Sequence, residues 1–134
     1  MTPISQFDAQ QMQQRTDRAR NPEHYAKIEE AKREKWQSGK ERELQQAIQD
    51  YAETHAGCYV LRPRMDKRSQ LPLGYPDLTV MRNGRAVLIE VKAKGGVLSD
   101  DQKECHAELA LTGNRVLVAY DLQTAIDYIR RELQ

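Results

Sequence analysis

The sequence is poor in cysteine, in aromatic residues and in long hydrophobic runs. Its two cysteines, Cys58 and Cys105, form neither a Cys-x-x-Cys motif nor a cluster with several histidines, so neither a disulfide framework nor a zinc site is indicated. No apolar stretch approaches the ~20 residues of a membrane helix, and the N-terminus lacks the apolar segment of a signal peptide. We therefore expect a soluble protein of a reducing cytoplasm.

The chain also has little net charge, but its charges are unevenly distributed. The formal net charge of +1 argues against a uniformly basic nucleic-acid-binding protein. Residues 62–94, however, contain eight lysines and arginines and three acids. A local positive excess of this kind is typical of a surface that binds phosphates, although a solvated loop is the simpler alternative.

The 134 residues divide into two regions of different composition. Residues 1–37 are rich in glutamine and charged residues and predict a disordered or helical extension. Asn21 and Pro22 are residues that commonly begin a helix, and Ser38-Gly39 is predicted to end it. This helix is either a solvated surface or an arm that contacts DNA or a second copy of the chain.

Residues 38–134 have the pattern of one folded domain. The hydrophobic periodicities predict a helix, three strands, a helix, a strand and a final helix. The predicted segments are 41–57, 58–62, 77–82, 85–93, 99–113, 115–120 and 121–133. This order predicts an α/β fold in which helices cover both faces of a mixed sheet.

A hairpin in this region brings two acids together. Asn83-Gly84 between two apolar segments is a strong signal for a two-residue β-turn, which places Asp77 opposite Glu90. Lys92 lies two residues after Glu90 and so projects from the same face. The same register independently pairs apolar residues on the other face, Leu78 with Ile89 and Val80 with Val87.

Two facing carboxylates need a compensating positive charge. At ~5 Å their repulsion is about 3 kcal/mol for an effective dielectric constant of 20. Lys92 could neutralise them in an ordinary salt bridge. Alternatively, they bind a hard cation such as Mg²⁺, which prefers oxygen ligands and retains water, and the ion then catalyses phosphodiester hydrolysis.

Three motifs in this region together resemble one nuclease family. The segments "GYPDLTV" (74–80), "IEVKAK" (89–94) and "LSDDQ" (98–102) are similar in order and spacing to the PD-(D/E)XK nuclease superfamily, and most closely to its VRR-NUC branch. The resemblance covers roughly residues 41–120. It implies an α/β fold with a PD-(D/E)XK nuclease-like core, in the order αβββαβ, carrying a charged N-terminal helical extension.

The resemblance implies roles for particular residues. Asp77 and Glu90 would bind Mg²⁺ or Mn²⁺, Val91 would offer its backbone carbonyl to the metal, and Lys92 would be catalytic. Glu41 resembles the family's further helix acid and shares a helical face with Leu44 and Ile48, whereas Glu43 points away. As an alternative, Glu41 and Ser38 have the spacing of a capping box.

Other candidates lie around this set. Gln102 matches the family's helix glutamine, expected near the attacking water or the scissile phosphate, and it has capping-box spacing from Ser99. Gln102 is accordingly counted with Asp77, Glu90 and Lys92 as catalytic. His106 is one turn further along and could face the cleft, but a packing or surface role is the favoured interpretation because no second histidine or cysteine lies at ligand spacing.

A third group of residues is predicted to contact nucleic acid. Tyr75 occupies a position where the family has a smaller residue; it either stacks on a base or anchors the loop. Basic residues in and near the same loop are expected to contact phosphates without sequence preference. The predicted contacts are Arg64, Lys67, Arg68, Tyr75 and Lys94.

The predicted function is a Mg²⁺- or Mn²⁺-dependent DNA endonuclease with a preference for branched or junction DNA. Small stand-alone members of this family resemble Holliday-junction resolvases and are often encoded by phages, which implies the cytoplasm of a bacterial or phage-infected cell. A two-fold junction favours a homodimer. The alternatives are a catalytically silent nucleic-acid-binding or inhibitory protein on the same scaffold, and an interaction module based on the charged N-terminal helix.

Overall fold

The computed structural model describes residues 5–6, 8–13, 21–63 and 71–134. The predicted phosphate contacts Arg64, Lys67 and Arg68 lie outside these ranges. The chain divides into two compact units, residues 1–36 and residues 37–134. The elements are, in chain order, α1 (Pro22–Thr54), β1 (Tyr59–Leu61), β2 (Leu78–Arg82), β3 (Arg85–Val91), α2 (Asp100–Leu111), β4 (Val116–Ala119) and α3 (Leu122–Leu133).

Helix α1 is longer than the sequence pattern predicts. It begins at Pro22 as expected, but the predicted break at Ser38-Gly39 is wrong because the helix continues to Thr54. A glycine inside a helix costs about 1 kcal/mol, and the surrounding Glu, Lys, Arg and Gln residues favour helix strongly enough to offset it. Ser38 is therefore not an N-cap, which removes the capping-box alternative for Glu41.

The four strands form one mixed sheet in the order β1-β2-β3-β4. The first three strands are antiparallel to their neighbours, whereas β4 is parallel to β3. The hairpin register is confirmed, since Leu78 pairs with Ile89 and Val80 with Val87. Asn83 and Gly84 in the turn have φ values of 55° and 74°, as a type I′ hairpin requires.

The apolar face of this sheet carries the core. Alternate strand residues on this face are buried with residues of α1 and α3. The largest of them are Ile48, Leu78, Val80, Ile89, Val91 and Ile129. Each large aliphatic side chain buried in this way contributes roughly 1.5–3 kcal/mol. The alternation of β3 leaves Leu88 and Glu90 on the opposite face, toward α2.

Candidate active site

Two carboxyl groups meet where β2 begins and β3 ends. Glu90, in β3, is 1% exposed, and Asp77 immediately precedes β2. An Asp77 carboxyl oxygen, Oδ2, accepts a hydrogen bond of 2.8 Å from the backbone N–H of Val91. The negative charge of Asp77 acts on Glu90 and disfavours its ionisation.

The surroundings of the two acids disfavour the ionised form of both. Burial, together with the negative charge of Asp77, raises the pKa of Glu90 to about 8 against the opposing effect of Lys92. Burial also raises the pKa of Asp77, although the Val91 N–H partly offsets this. At neutral pH Glu90 therefore holds a proton, which a bound cation would displace.

Lys92 lies on the same face, as the strand period predicts. It is half-buried, and its charge lowers the pKa of both acids. Among the described residues, however, no ion pair joins Lys92 to Asp77 or Glu90. A simple salt bridge therefore does not account for the buried Glu90 and the half-buried Asp77.

Gln102 both caps a helix and contacts the candidate active site, the two roles that the sequence offered as alternatives. Its side-chain Oε1 accepts a 2.9 Å hydrogen bond from the backbone N–H of Ser99, and the Ser99 hydroxyl accepts one from the Gln102 N–H, which completes a capping box. Its Nε2 donates a 2.5 Å hydrogen bond to Oε1 of Glu90. One side chain thus caps α2 and orients the buried acid.

A glycine allows α2 to approach the acids. Gly74, with φ of 79°, lies so close to the first turn of α2 that a Cβ there would be 2.3 Å from the backbone of Asp101. Only glycine combines this backbone conformation with this lack of space. The GYPD segment therefore supplies Asp77 and also the surface on which the Gln102 helix rests.

Glu41 reaches the same region from α1. Its Oε1 accepts a long hydrogen bond of 3.4 Å from the backbone N–H of Ala93, and its charge raises the pKa of both Asp77 and Glu90. Glu43, by contrast, is exposed and pairs with Lys40 at 3.4 Å. Of the two candidate helix acids, only Glu41 is at the site.

His106 is placed differently from the packing or surface role favoured by the sequence. Its Nε2 lies 3.6 Å from Oε2 of Glu90. Burial lowers the pKa of His106, and the nearby charge of Lys92 adds to this effect. The four-residue spacing from Gln102, which puts both side chains on one helical face, was the signal that could have identified it.

The remaining predicted residues have less specific surroundings. Val91 is fully buried, Lys94 is exposed, and Tyr75 is half-buried with its backbone N–H bonded to the carbonyl of Pro72. The metal, phosphate or base contacts of these three residues remain predictions. The structure brings together Asp77, Glu90, Lys92, Gln102 and Glu41, with His106 in addition.

The residues fit a hard divalent cation that keeps part of its water. In the described part of the chain, no three His, Cys, Asp or Glu side chains already surround one ion position. Mg²⁺, however, is commonly held by one or two carboxylates together with water and substrate phosphate. Oε2 of Glu90 is buried without a hydrogen-bond partner, which is the state expected of an oxygen that is to bind a cation.

The chain is similar to known domains in both sequence and fold. A sequence profile of the VRR-NUC domain matches residues 8–121. One solved structure, described as a VRR_NUC domain, is 25% identical with a TM-score of 0.55; the match covers 68% of this chain and 95% of that chain. Another, a VRR_NUC domain protein, is 24% identical with a TM-score of 0.56, and the match covers 69% and 86%. A search of curated proteins finds no significant match.

The described helices include none that is both long and apolar enough to cross a membrane.

The profile match extends over most of the chain and includes all the acids of the site. The sheet with its flanking helices is the fold of the matched structures. The chain belongs to the VRR-NUC family, a family of nuclease domains.

Proposed function

We propose that this protein is a Mg²⁺- or Mn²⁺-dependent DNA endonuclease that cuts branched or junction DNA. The observation that carries the proposal is the buried Glu90 beside the half-buried Asp77, because its Oε2 is left without a hydrogen-bond partner. Such a pair destabilises a folded protein unless it has a ligand to bind. A divalent cation supplies the missing interaction.

Asp77 and Glu90 would hold the ion, with Glu41 and the carbonyl of Val91 as further oxygen ligands. A bound divalent cation polarises the phosphoryl group and lowers the pKa of a bound water. Asp77 is held in place by the Val91 N–H, and Glu90 by the amide of Gln102. These two hydrogen bonds preorganise both acids before substrate arrives.

Lys92 stabilises charge during the reaction. Its ammonium group lies close enough to lower the pKa of both acids but forms no direct ion pair with either. It is therefore available to a phosphate oxygen, on which negative charge accumulates in the transition state. Gln102 acts through Glu90 and is a positioning residue in this scheme.

DNA would be held mainly through its phosphates. The positive excess of residues 62–94 supports this, and Arg64, Lys67, Arg68 and Lys94 are the proposed contacts, with Tyr75 near a base. The sequence contains no base-reading motif, which favours recognition of DNA structure over DNA sequence. A homodimer in the bacterial or phage-infected cytoplasm would present two sites to a two-fold junction.

The direct test is cleavage of supercoiled, flap, splayed-arm and four-way-junction DNA with and without Mn²⁺. The wild-type protein should cut only with the metal and should favour a branched substrate, whereas Glu90→Ala and Lys92→Ala should be at least about 100-fold slower. Equal rates for wild type and variants would refute the enzymatic proposal. DNA binding without metal-dependent cutting would support the alternative of a silent scaffold.

A further inference from the structure

Two buried atoms of the site face each other without a hydrogen bond. Nε2 of His106 and Oε2 of Glu90 are both shielded from solvent, and neither has a hydrogen-bond partner. They are 3.6 Å apart, which is too long for a hydrogen bond between them. Leaving two such groups unsatisfied in a folded protein is unfavourable.

The geometry around Glu90 identifies which of its oxygens is available. Oε1 is occupied by the amide of Gln102 at 2.5 Å. Oε2 remains, and the nitrogen of His106 is directed at it from the next turn of α2. Ligand atoms about 2.0–2.2 Å from a common ion lie about 3–4 Å from each other, so the observed separation fits two ligands of one ion.

We propose that His106 supplies a nitrogen ligand to the ion that Glu90 binds. This inference rests on the proposed metal-dependent function. Imidazole is a good ligand for transition metals and a poor one for Mg²⁺, which prefers oxygen. The site therefore selects Mn²⁺ and Co²⁺ over Mg²⁺, and His106 is the residue that determines this preference.

Calorimetric titration of the untagged protein with MnCl₂, CoCl₂ and MgCl₂ tests the selectivity. His106→Asn should weaken Mn²⁺ and Co²⁺ binding about 10- to 100-fold and Mg²⁺ binding by less than about threefold. His55→Asn is the matched control, because His55 is an exposed histidine at the end of α1, and it should leave all three affinities unchanged. Equal weakening of all three ions by His106→Asn would overturn the proposal, because it would indicate a structural role.

Electron spin echo envelope modulation of the Mn²⁺-loaded protein gives a second readout. A coordinated imidazole should produce a ¹⁴N signal in wild type and in His55→Asn that is absent in His106→Asn. Mn²⁺ uptake that depends on Glu90 but shows no ¹⁴N coupling would overturn the role of His106 and leave the proposed function intact. If wild type bound no Mn²⁺ at all, both proposals would fall.

Discussion

Gln102 connects the capping box of α2 to Glu90 through a single amide group. Its oxygen accepts from the backbone of Ser99 at 2.9 Å, and its nitrogen donates to Glu90 at 2.5 Å. An amide has both a donor and an acceptor, and both are used here. Neither glutamate nor a purely apolar residue could make both contacts.

Replacing Gln102 should affect cleavage more than folding. Gln102→Ala leaves the Ser99 hydroxyl cap in place but releases Glu90, so we expect single-turnover cleavage about 10- to 100-fold slower. Ser99→Ala is the converse control; it should lower the free energy of unfolding by about 1 kcal/mol with a smaller effect on cleavage. If Gln102→Ala cut DNA at the wild-type rate, Gln102 would be only a cap.

Gly74→Ala should be among the most damaging single-methyl additions to this chain. The new Cβ would lie 2.3 Å from the Asp101 backbone at φ of 79°, so α2 must move away. We expect the free energy of unfolding, measured with a denaturant, to fall by at least about 2 kcal/mol. Cleavage should fall further than stability alone explains, because Gln102 moves with α2.

Gly113→Ala is the matched control for this substitution. Gly113 has a similar φ of 83°, but a Cβ there meets nothing within 4 Å. Gly113→Ala should lower the free energy of unfolding by about 1 kcal/mol, which is the cost of the backbone conformation alone, and cleavage should be retained. Equal effects of the two substitutions would contradict close packing of Gly74 against α2.

The stability of the metal-free protein should decrease as pH rises. In the unfolded chain Glu90 titrates near 4.5, whereas in the folded protein its pKa is about 8. Between these values the folded state binds more protons, so the free energy of unfolding falls by up to about 1.4 kcal/mol per pH unit. Glu90→Gln cannot ionise and should lose less stability between pH 5 and pH 8.

Urea titrations at several pH values compare the two proteins directly. Saturating Mn²⁺ at pH 8 should restore wild-type stability but have little effect on Glu90→Gln, because the metal binds the ionised acid. Parallel pH profiles for wild type and Glu90→Gln without metal would show that Glu90 does not hold the extra proton.

Glu41 and Glu43 form a natural pair for testing the helix acid. Glu41→Gln removes a negative charge that raises the pKa of Glu90 and Asp77, so it should lower both values and also remove a proposed metal ligand. We expect Mn²⁺ affinity about 10-fold lower by calorimetry. Glu43→Gln should bind Mn²⁺ as wild type does, since Glu43 is exposed and pairs with Lys40.

The hairpin and its register were predictable because local signals agreed. Asn83-Gly84 fixed the turn, and the pairing of Leu78 with Ile89 followed from strand alternation. The continuity of α1 was not predictable from Gly39, because a weak local preference was outweighed by the rest of a 33-residue helix. Propensity is a reliable guide only where neighbouring residues do not oppose it.

The inward direction of His106 followed only in part from the sequence. The rotation of α2 about its own axis decides whether this side chain meets solvent or Glu90. Helix rotation is set by tertiary contacts distant in sequence, and Gly74 makes a close approach of this kind to the first turn of α2. Periodicity places Gln102 and His106 on one face but does not say what this face packs against.

Successive side chains of strand β3 point alternately into the hydrophobic core and toward the candidate active site. Ile89 and Val91 pack into the hydrophobic core, whereas Glu90 between them faces α2. Inserting or deleting one residue in the strand or its turn would exchange these two sets and lose both the core and the site. During evolution this segment can therefore diverge by substitution at its edges, but length changes within it are eliminated together with the fold.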